Sequence, residues 1–268
     1  MSNGIRTEIR KFFSTRMWWV LLIMLAAYMI FLAATMAFSL GYGAEDMSGE
    51  AVEVDPLAQA KSVYTIAVSF GYVFPALIGI MSVTGEFRHG TIVPSLLFEP
   101  SRTKFLVSKL IAALPAGVLY GLVGVLSGTL AGAGTLAIMG EDPMLGEASV
   151  WRSVVLAVIA LTVWTVVGVG IGSVISNQVA AIVVILAFTQ FVEPIVRMAL
   201  PAALNDAGAA ISAYLPGAAG EALSEASFYA TMGMADVLAW WQGALVLIAY
   251  GLVLAFVGRV TTLRKDIA

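Results

Sequence analysis

The sequence predicts an all-α integral membrane protein of six transmembrane helices, with an N-terminal amphipathic interfacial helix and both termini on the inner side. Three observations carry this. Of 268 residues, 60% are hydrophobic and only 12% charged, with a mean hydropathy of +0.95, whereas a soluble domain carries about 25% charge. Uncharged runs recur at lengths that fit a bilayer core of about 30 Å, which takes about 20 helical residues. Eleven of the 14 bases fall on alternate connections between those runs.

Residues 1–16 come first. Ile5, Ile9, Phe12 and Phe13 recur at helical spacing, with Arg6, Arg10 and Lys11 on the other face. A basic amphipathic helix of this kind lies in the inner headgroup layer, and Trp18 and Trp19 suit the interfacial belt. The first span, 17–40, is too long for a signal-peptide core and lacks a small-residue cleavage site, so it is expected to stay as an anchor. Span two is 62–83. Span three, 106–139, is uncharged from Leu110 and long enough to tilt or to bend at Pro115. The uncharged run from Ser153 to Val192 is too long for one helix. Ser176, Asn177 and Gln178 divide it into spans four and five, 153–175 and 178–200. Span six is 237–258. The segment before it, 201–236, is too long and too apolar for an ordinary loop, and Pro216-Gly217 breaks it. It predicts one or two short outer re-entrant helices, buried in protein because lipid cannot satisfy free backbone groups.

Orientation follows from the bases, which resist translocation. Arg6, Arg10, Lys11 and Arg16 lie before span one. Arg88, Arg102, Lys104 and Lys109 follow span two, and Arg259, Arg264 and Lys265 follow span six. Eleven of the 14 bases thus share one side of a six-span chain. The intervening connections are acidic, with Glu45, Asp46, Glu50, Glu53 and Asp55 in the first and Glu141, Asp142 and Glu147 in the second. Both termini are expected in the cytoplasm.

Several chemistries are excluded at this level. The chain has no cysteine and one histidine, too few side chains for a thiolate, zinc or di-iron site. A phosphate-loop motif, GxSxG and HExxH are all missing, so no enzyme signature is present and any ATP must be bound elsewhere. A net charge of −3 offers nothing to nucleic acid. Within the spans, Gly117, Gly121, Gly124, Gly128 and Gly132, then Gly168, Gly170 and Gly172, either let helices approach closely or line a path. Glu193 and Arg197, the only charges inside the apolar runs, are spaced to pair on one helical face. Counted from Asn177, they lie about 24 and 30 Å along the helix, near the outer interface. A structural ion pair beside Pro194 is the expectation.

The remaining feature is TGEFRHGTIVPSLLFEPSRTKFLVSKL, Thr84 to Leu110, where the only histidine and four of the bases gather. Gly85, Glu86, Phe87, Arg88, Gly90, Thr91, Leu96, Leu97, Ser101, Arg102 and Lys109 form a pattern that resembles the ABC type-2 exporter permeases, membrane subunits of ATP-binding-cassette exporters. GVGIGSVISNQVAAIVV and YLPGAAGEAL extend the resemblance over the whole chain, as a single permease domain, 1–268. The resemblance implies that loop 84–105 holds a short cytoplasmic coupling helix docking into a groove on a separate, soluble ABC ATPase subunit, present in two copies. Thr91 or Thr84 would cap a helix end, and Ile92, Val93, Leu96 and Leu97 would supply an apolar docking face. Glu86, Arg88 and His89 would orient the partner at the rim. Phe87, Gly90, Thr91 and Arg102 complete the expected docking set. A second permease, identical or paralogous, would finish the path. ATP and magnesium would sit in the partner, and this chain would need no cofactor of its own. The setting implied is the bacterial plasma membrane.

The nearly charge-free spans point to an amphipathic or hydrophobic cargo such as a drug, peptide or lipid. Two other classes compete. An ion-driven secondary transporter wants acids at membrane depth and an inverted repeat. A non-transporting membrane scaffold or immunity protein would keep the shape and move nothing.

Overall fold

A computed structural model describes residues 2–41, 55–231 and 237–264. The described residues are helical with short connections. α1 (Ser2–Ser14) precedes α2 (Met17–Gly41). Span two is built from α3 (Pro56–Tyr64), a π-helical turn at Ala67–Gly71 and α4 (Val73–Arg88). Then follow α5 (Ile92–Phe98), α6 (Arg102–Met139) and α7 (Ala148–Val174). Span five joins α8 (Gln178–Ala187), a second π turn at Phe188–Val192 and α9 (Glu193–Ser212). The short α10 (Pro216–Leu223) and α11 (Phe228–Thr231) lead to α12 (Trp240–Val260). Six stretches are long and apolar enough to cross a membrane: Met17–Leu40, Pro56–Arg88, Arg102–Met139, Ala148–Val174, Gln178–Ser212 and Trp240–Val260.

α7 is the centre of the bundle. It packs against α4, α6 and α12, while α2 lies on the far side of α6. Small residues permit this. A Cβ on Gly168 would collide with the Ala76 backbone of α4, and one on Gly79 with the Gly168 backbone, so the two helices touch main chain to main chain. Gly172 faces Ile80 in the same way. Gly170 faces Gly251 of α12, Gly117 and Gly121 face α7, Gly124 faces Leu25 of α2, and Gly128 and Gly132 lie against the α3 end of span two. In this chain each of these glycines meets a neighbouring helix. The interior between them is filled by Trp164, Tyr120, Leu161, Ile80 and Leu25, all fully enclosed.

The element bounds differ from the expected ones where a charge or proline misled the reading. Span two begins at Pro56, because Asp55 caps the helix by accepting from Leu57 N at 3.3 Å and Pro56 suits its first position. Lys61 lies inside α3 rather than before it. Span two also ends later. Gly85, Glu86, Phe87 and Arg88 form the last turn of α4 and are not loop residues. α6 begins at Arg102, capped by Ser101, and runs unbroken past Pro115. Span five ends at Leu204, a few residues past the expected 200: the chain breaks at Asn205, where φ is +51°, and the short helix to Ser212 folds back so that Gly208 lies against the Leu200 carbonyl. α10 is buried along its whole length, against α12, α7 and the first π turn, which meets the requirement that such backbone be enclosed by protein. Part of the expected 201–236 segment, residues 232–236, lies outside the described residues.

Candidate partner-docking site

Most of the basic segments meet at one end of the bundle. Arg88 Nη1 donates to Gln178 Oε1 at 3.3 Å, Arg259 Nε to Thr103 Oγ1 at 2.7 Å, and Arg102 to the Leu263 carbonyl. Lys61, Arg152 and Arg197 belong to the other end, where Arg152 pairs with Glu225 at 2.7 Å.

α5 is the projecting element of the basic end. It is separated from α4 by a turn that depends on Gly90, at φ +65°. Gly90 N–H donates to the Phe87 carbonyl, and Thr91 N–H reaches back to that of Glu86 at 2.9 Å. These are the two bonds of a Schellman closure, which needs a left-handed residue at its bend. α5 then presents two faces. Ile92 is buried, and Leu96 packs with it against Val83, Phe105 and Leu106. On the other face Leu97 and Phe98 are each 78% exposed and Val93 42%. Three large apolar side chains on one short helix form a patch that water disfavours. Arg88, His89 and Lys104 are exposed around it.

Beneath α5 lies a closed ionic network. The Lys109 ammonium is fully buried and donates to Glu8 Oε2 at 2.6 Å, Ser82 O at 2.7 Å and Glu86 Oε1 at 3.1 Å, using all three protons. Glu86 is 4% exposed. Its Oε1 also accepts from Lys11 at 2.6 Å, and its Oε2 accepts from Thr91 at 2.6 Å and Ser95 at 2.9 Å. Lys11 completes the set through Glu8 at 3.0 Å. Two acids balance two bases, and every charged atom has a partner, as burial requires. Burial works against the charge on Lys11, but its hydrogen bonds to Glu86 and Glu8 outweigh that, and its pKa is raised.

Several sequence expectations change here. Glu86 does not stand at a rim; it ties α5 to α4, α6 and α1. Thr91 gives its hydroxyl to Glu86 instead of capping α5, and Thr84 Oγ1 donates to Ile80 O within α4. Arg102 turns to the C-terminal segment, and Phe87 is half-buried against Val83 and Phe105. Leu96 faces inward and Leu97 outward. Lys11 leaves the basic face of α1 to reach Glu86, whereas Phe13, expected on the apolar face, is 48% exposed. Arg88, His89 and the Leu97 side of α5 remain on the surface. The reading missed Glu8, Lys11 and Phe98. The available signal was Lys109, a lysine opening an uncharged helix that needs an acid from elsewhere in the chain.

The expected ion pair at the opposite end also changes. Arg197 Nη2 donates to Glu221 Oε2 of α10 at 2.8 Å, and Glu193 Oε1 instead accepts from Ala218 N at 3.0 Å. The two residues share a helix but bind different partners on α10.

A family model described as "ABC-2 family transporter protein" matches residues 4–192, from α1 through the second π turn. The chain belongs to the ABC-2 transporter family. It is therefore a multi-pass membrane permease of an ABC-type transport system. ABC-2 permeases typically are not themselves catalytic, and they work with an ABC ATPase and usually a second permease. The matched range contains α5 and the Glu86 network in full. No curated protein matches the chain closely enough to compare.

Proposed function

We propose that this chain is half of the translocation path of an exporter, and that α5 is the helix by which a separate soluble ATPase drives it. The observation that carries the reading is the combination at α5. An exposed Val93, Leu97 and Phe98 face points outward, and the hydrogen-bonded Glu86 carboxylate of α4 behind it reaches α6 and α1. A helix laid in a groove uses such an apolar face, with Arg88, His89 and Lys104 setting its orientation. Force on α5 passes through Thr91 and Ser95 to Glu86, then to Lys109 on α6 and Lys11 on α1. ATP and magnesium are held by the ATPase, which in this reading acts in two copies at the cytoplasmic face. A second permease, a copy or a paralogue, completes the path. The cargo is amphipathic or hydrophobic, in keeping with the apolar spans.

The test is to express the permease with its genomic neighbours and to ask whether a soluble phosphate-loop ATPase co-purifies with it. Leu97→Asp with Phe98→Asp should abolish capture of that ATPase while leaving the permease folded, because both side chains already face water. Glu86→Gln should keep capture but reduce cargo-stimulated ATPase activity. Full capture by the Leu97/Phe98 double variant would overturn the docking reading.

A further inference from the structure

Two charge clusters among the described residues differ in their arithmetic. At the α5 end, Glu8 and Glu86 balance Lys11 and Lys109. At the other end, Glu193 and Glu221 share one base, Arg197. All three side chains are enclosed, at 2%, 1% and 4% exposure. If both acids were ionised, one negative charge would be buried without a counter-charge, a state proteins avoid by taking up a proton or a cation.

Hydrogen bonding singles out the acid that carries the difference. Glu221 Oε2 accepts from Arg197 at 2.8 Å and from Ser227 as well. Arg197 also lies over the Tyr229 ring, 4.1 Å from its centre. Glu193 Oε1 accepts the Ala218 N–H at 3.0 Å, the Gly217 N–H is also turned toward the carboxylate, and the buried Oε2 has no hydrogen-bond partner among the described residues. These N–H groups in the first turn of α10 favour charge on the carboxylate, but they do not replace its full solvation. The other titratable groups around Glu193 offer no base. They are Tyr72, beside the first π turn, Tyr229 on α11 and Tyr250 on α12.

The packing is built around this carboxyl. A Cβ on Gly217 would overlap the Glu193 carboxylate, and one on Gly220, one turn along α10, would press on Trp164 Nε1. That indole N–H is buried and also without a hydrogen-bond partner among the described residues. Trp164 stacks on Tyr72 with ring centres 4.3 Å apart, and the Tyr72 hydroxyl donates to Thr189 O in the second π turn, just before Glu193. A vacant acceptor and a vacant donor therefore flank one face of α10. A pocket of about 530 Å³ opens at this end, lined by Asp55, Lys61 and Ser227 among others. Ser227 links that pocket to Glu221.

We propose that Glu193 is a proton-binding site: its carboxyl is a neutral acid in the resting protein, beside the Glu221–Arg197 pair. The cluster is then neutral, with one carboxylate on one guanidinium, like its counterpart at the α5 end. This stands apart from the docking reading, since no ATPase is needed to observe it.

Infrared spectroscopy of the purified permease in lipid nanodiscs tests it. At neutral pH the wild type should show a protonated-carboxyl C=O band that shifts in D2O and fades as pH is raised. Glu193→Asp, which keeps the charge count, should move that band, and Glu221→Asp should leave it in place. No such band, a band that moves with Glu221→Asp instead, or one that moves with neither would overturn the proposal. So would a band that forms only when sodium is replaced by choline, because a metal cation would then be the ligand. If Glu193→Asp fails to fold, the wild-type titration and Glu221→Asp still decide between the two acids.

Discussion

Lys109 shows how much one side chain can hold at this level. Its ammonium is fully buried and bridges Glu8 of α1, Glu86 of α4 and the Ser82 carbonyl. Lys109→Met keeps the volume but leaves the buried Glu86 and the half-buried Glu8 sharing Lys11. Breaking a buried pair this way costs about 3–5 kcal/mol, so a large fall in thermal midpoint in detergent is expected. Adding Glu8→Gln restores one acid against one base and should recover part of that fall. An equal loss in the double variant would mean that packing, not charge balance, matters here. Lys11 belongs to the same network but is 43% exposed in its side chain, so screening weakens its share. Its pKa is raised above the ordinary 10.5. The tether it gives α1 is therefore fully present below about pH 10.5 and is lost as pH climbs through the higher folded value. A spin label at Thr15→Cys should stay equally immobile from neutral pH to about 9.5 and loosen only beyond 10.5.

At the scale of the element, the α4–α5 turn fixes where α5 points. Gly90 sits at φ +65°, and both closing bonds of the turn depend on that bend. A side chain there costs about 1–2 kcal/mol, concentrated at the turn. Gly90→Val should lower stability by about that amount, and it should raise proteolysis between α4 and α5 well before the bundle melts. Unchanged cleavage would show that the α5 packing of Ile92 and Leu96 holds the helix without the turn. The same comparison explains what was legible in the sequence. Uncharged length located all six spans, because lipid imposes one requirement on each of them. It misplaced both ends of span two, because charges were taken as stops. Lys61 is inside α3, and Glu86 is neutralised by partners from α1 and α6 that no local pattern reveals. The i, i+4 spacing of Glu193 and Arg197 made an ion pair the local expectation, but α10 approaches from 24 residues away in sequence and takes the arginine. Spacing says which side chains share a face; it does not say what is brought against that face.

At the scale of the molecule, the charge distribution and the fold agree on one axis. The described bases of residues 6–16, 88–109 and 259–264 fall at the end where α1, α5, the start of α6 and the end of α12 meet. Asp142, Glu147 and Glu225 lie at the other. Basic residues near span ends are held on the cytoplasmic side, which would place α5 where an ATPase can reach it. The chain has no cysteine, so single cysteines report orientation without a background. Thr103 and Glu147 are exposed at opposite ends. In intact cells a membrane-impermeant maleimide should label Glu147→Cys and spare Thr103→Cys until the membrane is permeabilised. Ser14→Cys should follow Thr103→Cys, because α1 is clamped to the same end by Glu8 and Lys11. Labelling of Thr103→Cys in intact cells would put α5 outside, beyond the reach of any cytoplasmic ATPase. That outcome would sink the docking reading while leaving the Glu193 proton site to stand or fall on its own spectrum.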